Sequence, residues 1–225
     1  VESVSNLKYI GVLATGYNVV DVHAAKKQNI VVTNIPSYST QSVAQFTMAL
    51  LLEMCHHVGN HNSDVHKGKW TKSPDFSFWN SPLIELNGKT LGIIGYGHIG
   101  TQLSILAEHL GMRVQFYDIE DKLVLGNSTQ VKSLKKLLNT SDVVTLHVPE
   151  TQQTKDMIGE KELSQMKDGA VLINAARGTV IDIDALIDAL KNNKLNGAAI
   201  DVFPTEPKSN TELFESPLRE FDNVI

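Results

Sequence analysis

Six residues in this chain have types and spacing that could do chemistry: Gly95, Gly97, Gly100, Asp118, Arg177 and Glu206. The three glycines lie in "GIIGYGHIG" (92–100), with the spacing G-x-G-x-x-G over Gly95, Tyr96, Gly97, His98, Ile99 and Gly100. In that pattern the first glycine makes a tight turn, the second lets the backbone approach a pyrophosphate, and the third lets a helix pack closely on the preceding strand. The motif alone is weak. Here the apolar run "TLGIIG" (90–95) precedes it and a helical pattern over 98–110 follows, so phosphates would face a helix N-terminus and its free N–H groups. Asp118 ends the next strand-like run, "RVQFYD" (113–118), 18 residues past Gly100. An acid there grips the adenosine ribose hydroxyls. It also disfavours a 2′-phosphate, because like charges ~4 Å apart repel by about 4 kcal/mol at an effective dielectric of ~20. Ile119, Glu120 and Asp121 follow, so no base is adjacent. The pattern predicts NAD rather than NADP. The competing readings are a tight turn with no ligand and an adenosine-ligand fold such as that of S-adenosylmethionine methyltransferases.

These residues need a scaffold, and the rest of the chain supplies its pattern. Apolar strand-like runs alternate with helical ones, as in a parallel sheet covered by helices. Strands are expected at 7–13, 30–34, 90–95, 113–118, 142–148, 170–176 and 197–203. Helices are expected at 19–28, 40–58, 98–110, 133–140, in "KELSQM", and at 182–193. The helix over 40–58 is apolar nearly all round, which predicts burial on more than one side, either as a central core helix or at a subunit or domain interface. Residues 67–90 hold both tryptophans, Trp70 and Trp79, and read as a connecting arm. Ligands of such sheets sit at the carboxyl ends of the strands. At those ends lie His147-Val148-Pro149, Ala175-Ala176-Arg177-Gly178 and Asp201, with Glu206 just beyond. An arginine and a glutamate therefore flank the place where a nicotinamide would lie.

"GIIGYGHIG", "LHVP", "LINAARGTVID" and "GAAIDVFPTEP", in that order, closely resemble the D-isomer-specific 2-hydroxyacid dehydrogenases. The resemblance covers essentially the whole chain. It implies an α/β fold: a doubly wound parallel-sheet Rossmann domain at 38–225, with a dimerisation helix and arm at about 40–88, and a remnant of a flavodoxin-like substrate domain at 1–37. From about residue 88 onward the likeness is to the branch that oxidises D-3-phosphoglycerate, a step of serine biosynthesis. The first part, with "ATGYNVVD", is more like the glycerate dehydrogenase (hydroxypyruvate reductase) branch.

The resemblance also implies roles. Arg177 would fork onto the carboxylate of a small 2-hydroxy or 2-oxo acid, a bidentate task that suits Arg over Lys. Glu206 would hold a catalytic histidine protonated. Asp201 would contact the nicotinamide end. His147, Val148, Pro149, Ala175 and Ala176 would line the cofactor, and the backbone of Ala14, Thr15 and Gly16 would receive the substrate carboxylate. For Ala14–Gly16 a plain strand-to-helix turn is the alternative. The family has Ser where this chain has Ala176. The family's acid/base histidine follows the next strand, in a segment expected after Ile225, and none of the eight histidines here matches it. The chain opens without Met and stops at "FDNVI", where an apolar strand is starting, so it reads as a fragment. A homodimer or higher homo-oligomer through 40–58 and the arm is expected, with Trp70 and Lys72 near the partner's active site. The competing function is a non-catalytic NAD(H)-sensing dimer, as in corepressors that share the fold. Arg177 and Glu206 argue against it, because a pure sensor needs neither.

Composition fits this reading. The chain has 225 residues, 42% hydrophobic and 20% charged, with a net charge of −5, which offers nothing to nucleic acid or an anionic membrane. Residues 28–52 carry no charge, but Pro36 and many polar residues interrupt them, and a span needs about 20 mostly apolar residues. No signal peptide is visible. The single cysteine, Cys55, fits the cytoplasm and reads as packing. His56, His57, His61 and His66, with Asp64, include an i, i+4 pair that could bind metal. Nothing around them supports it, and a solvated helix end is the expected state.

Overall fold

The computed structural model describes residues 6–207, 209 and 211–225. The chain opens with a β-α-β unit: β1 (Tyr9–Gly11), α1 (Val22–Lys27) and β2 (Val31–Thr33), the strands paired in parallel with Ile10 opposite Val32. Asp21 starts α1 by accepting the Ala24 N–H at 2.9 Å, an N-cap that satisfies one of the donors left free at a helix start.

The helix expected over 40–58 is α2 (Thr40–His56), and a further helix that the sequence reading did not anticipate, α3 (Val58–His66), follows it. His57 lies between them in the left-handed region at φ 49°, with its N–H bonded to the Glu53 carbonyl at 2.8 Å. The Glu53 carboxylate reaches past the break and accepts the Gly59 N–H at 3.0 Å, which places a negative charge at the start of α3. The arm follows without regular structure and leaves Trp70, Phe76 and Trp79 exposed.

From residue 90 strands and helices alternate: β3 (Thr90–Ile94), α4 (His98–His109), β4 (Arg113–Tyr117), β5 (Thr129–Gln130), α5 (Leu134–Thr140), β6 (Val143–Leu146), α6 (Glu160–Gln165), β7 (Ala170–Asn174), α7 (Ile183–Lys191) and β8 (Leu195–Ile200). The six strands form one parallel sheet in the order β5-β4-β3-β6-β7-β8. The chain therefore runs outward from β3 in one direction, returns to β6 and runs outward in the other, with the switch point between β3 and β6. Two-residue β5 was not expected, since it is too short to carry a hydrophobic alternation.

Strand side chains alternate between faces. Ile93, Phe116, Val143, Val171 and Ile173 meet α2 and α4 on one face. Ile94, Leu146, Leu172 and Ala198 meet α5, α6 and α7 on the other. Both faces are covered, which is why these strands read as continuous apolar runs. α2 packs on α4, β7 and β8 through Leu51, Met54 and Cys55, but leaves Phe46 45% exposed. At the far end, Ile225 runs parallel beside β8, donating to Ala198 at 2.9 Å and accepting from Ile200 at 2.8 Å. Among the described residues no helix is long and apolar enough to cross a membrane.

Candidate active site

The glycine turn joins β3 to α4 at the switch point, and each glycine there has a different physical reason. Gly95 has φ 93°, and a Cβ on it would lie 2.6 Å from the His147 carbonyl. A Cβ on Gly100 would overlap the Gly95 carbonyl and press on Ile93, so helix and strand could not pack this closely. Gly97 has an ordinary φ of −82°, and a Cβ there would meet nothing within 4 Å. The protein itself does not require glycine at 97; an approaching ligand would. α4 starts at Gly97 without a side-chain cap, which leaves the N–H groups of its first turn, including those of His98 and Ile99, without helical acceptors.

Tyr96, placed among the cofactor-binding positions of the motif, turns its side chain into the core. Its ring is buried and stacked on Phe116 with centroids 3.7 Å apart, and its hydroxyl meets Ser104 at 2.9 Å and Ser128 at 3.2 Å. Its N–H is donated to Asp118 Oδ2 at 2.8 Å, while Asp118 Oδ1 accepts the Glu120 N–H at 3.1 Å. A base four residues beyond Asp118 also enters its surroundings. Lys122 is close enough for the Asp118 charge to act on it, but its Nζ is committed to Glu120 at 2.5 Å.

Beyond β6, the His147 Nε2 is 3.0 Å from the Thr145 hydroxyl, while its buried Nδ1 has no partner among the described residues. Burial pushes this imidazole down to about 4, so it is neutral at physiological pH. The Val148 side chain crowds Gly95, and Pro149 follows on the exposed side.

Beyond β7, buried Asn174 builds the next turn, a role the sequence reading missed. Its Oδ1 accepts from the Ala176 N–H at 3.0 Å, and its Nδ2 donates to the Arg177 carbonyl at 2.9 Å. Ala175 and Arg177 are half-buried in that turn, and Arg177 Nη1 donates to the Ala176 carbonyl at 2.7 Å. A Cβ on Gly178 would overlap the Phe203–Pro204 backbone, so the Arg177 turn lies directly against the loop carrying Glu206. The Glu206 carboxylate accepts the Phe203 N–H at 3.1 Å. Asp201, at the end of β8, is raised above the ordinary carboxylate range, first by partial burial and second by the charge of Glu206.

The N-terminal unit supplies the opposite wall. Thr15 donates through its hydroxyl to the Ile35 carbonyl at 3.0 Å, and Asn34 Nδ2 donates to the Thr15 carbonyl at 2.8 Å. The Ala14 carbonyl accepts the Ile35 N–H at 3.1 Å. Held this way, Gly16 lies against Arg177, and a Cβ on it would overlap the guanidinium. Asn18 Nδ2 also reaches Glu150 at 3.3 Å, a second contact between the two units that no motif signalled. The structure thus brings residues 14–16, 147–149, 175–178 and 201–206 to the carboxyl side of the sheet.

The histidine cluster is elsewhere. His61 packs its ring on Phe78 at 5.7 Å, and Asp64 is engaged by Lys69 and Asn80. Cys55 is buried, which pushes its thiol up to about 11.

A doubly wound parallel sheet, a glycine turn at its switch point and an acid at the end of the neighbouring strand define a dinucleotide-binding domain. The comparison with known families agrees. The model of the D-isomer specific 2-hydroxyacid dehydrogenase NAD binding domain matches residues 48–225, and the chain belongs to that family. It is 55% identical over 225 residues to D-3-phosphoglycerate dehydrogenase of Haemophilus influenzae, covering 100% of this chain and 53% of that protein. It is 49% identical over 207 residues to a hydroxypyruvate reductase of Blautia hydrogenotrophica, covering 92% of this chain and 64% of that one. The chain spans about half the length of the first of these relatives.

Among solved structures it resembles D-lactate dehydrogenase from Aquifex aeolicus in complex with NAD and lactic acid, with a TM-score of 0.85 and 36% identity, covering 97% of this chain and 68% of that one. It also resembles an NADPH-dependent glyoxylate/hydroxypyruvate reductase from Sinorhizobium meliloti in complex with NADP and malonate, with a TM-score of 0.88 and 31% identity, covering 99% and 67%.

Proposed function

We propose that this chain is the cofactor-bearing part of an NAD-dependent oxidoreductase of D-2-hydroxy acids, with D-3-phosphoglycerate as the first substrate. In this division residues 1–37 belong to the substrate side and 38–225 to the cofactor side. One observation carries the reading. The Arg177 guanidinium lies against Gly16, and its turn is packed on the Glu206 loop, at the end of the sheet where the glycine turn opens. The open space at Gly97 and the uncapped start of α4 fit a diphosphate held by the backbone of 97–100. Asp118 fits a ribose without a 2′-phosphate, and this side chain distinguishes NAD from NADP on a fold that serves both. His147 to Pro149, Ala175, Ala176 and Asp201 would line the remainder.

Held by the backbone of 97–100 and by Asp118, NAD would supply hydride-transfer chemistry at the substrate C2. The chain's own residues do the rest. The Arg177 guanidinium pairs with the substrate carboxylate through two parallel N–H bonds and draws electron density from the adjoining C2–O group. Ala14–Gly16 supply backbone on the other side of that carboxylate. Glu206, positioned by the Phe203 N–H, is placed to hold a proton on a histidine, and no histidine bonds it among the described residues. The 225-residue chain is therefore expected to bind NADH and to turn over little.

The test is NADH formation by the full-length protein on D-3-phosphoglycerate and on D-glycerate. Turnover of the former is expected, and no turnover of any 2-hydroxy acid would sink the enzyme reading. Glycerate/hydroxypyruvate chemistry is the second reading, favoured by the likeness to the hydroxypyruvate reductase. A homo-oligomer in the cytoplasm completes the proposal, supported by exposed Phe46 on α2 and exposed Trp70, Phe76 and Trp79 on the arm.

A further inference from the structure

We propose that Asp118 is a clasp on the glycine turn as well as a selector of the ribose, so that cofactor preference and the shape of the diphosphate site depend on one carboxylate. This rests on the proposed NAD site and adds a positioning function to a residue expected only to read the ribose.

The geometry is specific. The end of β4 holds the turn at two successive donors: the Tyr117 carbonyl accepts the Gly95 N–H at 2.9 Å, and Asp118 Oδ2 accepts the Tyr96 N–H at 2.8 Å. Gly95 turns the chain at φ 93°, which glycine adopts without penalty, so these two bonds rather than side-chain sterics fix where the turn lies, and Gly97, two residues on, has nothing against it. The Tyr96 N–H is thereby removed from the set that can bind phosphate, leaving the first turn of α4 to do so. Asp118 is itself fixed from the far side. The Glu120 N–H holds Oδ1 at 3.1 Å, and Gln130 of β5 brackets the loop, accepting the Lys122 N–H at 3.0 Å and donating to the Glu120 carbonyl at 2.8 Å. Each carboxylate oxygen keeps acceptor capacity for a ribose hydroxyl, so clasp and reader are compatible.

The two functions separate by the sign of an effect. Asp118→Asn and Asp118→Ala both remove the negative charge that repels a 2′-phosphate, and both leave Lys122 in place. Electrostatics alone therefore predicts the same gain of NADPH affinity for both. Only the asparagine keeps an oxygen that can accept the Tyr96 N–H. With the clasp, Asp118→Asn gains NADPH affinity by roughly fivefold or more and loses NADH affinity only a few-fold. Asp118→Ala gains no NADPH affinity and loses NADH affinity by about 10- to 100-fold.

The direct readout is hydrogen exchange of the Tyr96 amide in the unliganded chain. It should be slow in the wild type and in Asp118→Asn, and about tenfold faster in Asp118→Ala. Asp118→Ser, too short to reach the turn, replaces the alanine variant if the latter does not fold. Equal NADPH gains in the asparagine and alanine variants, or unchanged Tyr96 exchange in the latter, would overturn the clasp. A wild-type chain that binds neither dinucleotide would instead overturn the proposed function, while the exchange experiment still decides the clasp.

Discussion

Gly16 and Arg177 are 161 positions apart in the chain, yet the guanidinium of Arg177 occupies the space where a side chain on residue 16 would begin. Neither residue is in the other's sheet. The β1–β2 unit carries one and the turn after β7 carries the other, so their contact reports how the two units close on each other. Gly16→Ala should push the guanidinium aside. In the full-length protein, kcat/KM for the hydroxy acid is expected to fall about tenfold or more, with NADH affinity unchanged. An equal loss of NADH affinity would show that the contact serves the cofactor instead.

Arg177→Lys keeps a positive charge but loses the planar fork. Losing one charge-assisted hydrogen bond of the pair costs about 1.5–3 kcal/mol, so a fall in kcat/KM of roughly 10- to 100-fold is expected. Steady-state kinetics on the full-length protein would show it. A lysine variant with full activity would remove bidentate binding from the mechanism.

Gly97 and Gly100 should separate ligand from fold. Gly97→Ala places its methyl in open space, so the unfolding free energy should stay within the range of a neutral surface change, about ±0.5 kcal/mol, while NADH affinity falls by an order of magnitude or more. Gly100→Ala forces its methyl onto the Gly95 carbonyl and should cost about 1–3 kcal/mol in stability. If Gly97→Ala bound NADH normally, the diphosphate would not lie where the turn is open.

His147 predicts an acid-labile fold. Burial lowers its imidazole to about 4, against 6.5 ordinarily. Between those values the unfolded chain carries a proton on this ring that the folded chain refuses. Stability is therefore full above about pH 6.5 and falls as the pH drops, by about 3 kcal/mol once below ~4. Between pH 7 and 4.5 the urea midpoint of the wild type should drop further than that of His147→Gln. Identical drops would place the acid sensitivity elsewhere.

What the sequence disclosed follows a physical division. Strands β3, β6 and β7 were legible because both faces are buried and the apolar run is unbroken. The glycine turn was legible because φ 93° at Gly95 and the close approach at Gly100 leave no other residue type possible. Helix α3 was not, because it buries no residue and so carries no apolar stripe, and its start is held by a Glu53 side chain acting six residues away. The inward direction of Tyr96 was hidden for a similar reason. A tyrosine within a ligand motif reads as a ligand contact, and only its distant partners Ser104, Ser128 and Phe116 show that it belongs to the core. The Gly16–Arg177 approach and the Asn18–Glu150 bond join segments that share no periodic pattern, so only the assembled fold reveals them.

Gly178, pressed onto the backbone at Phe203 and Pro204, limits how this molecule can deform. The loop bearing Arg177 and the loop bearing Glu206 behave as one plate, bolted by a contact too tight for a methyl group. A movement of the N-terminal unit would change its contacts at Gly16–Arg177 and Asn18–Glu150 and leave the spacing from Arg177 to Glu206 fixed. Any strain that reaches the Arg177 loop or the Glu206 loop is therefore passed to the other.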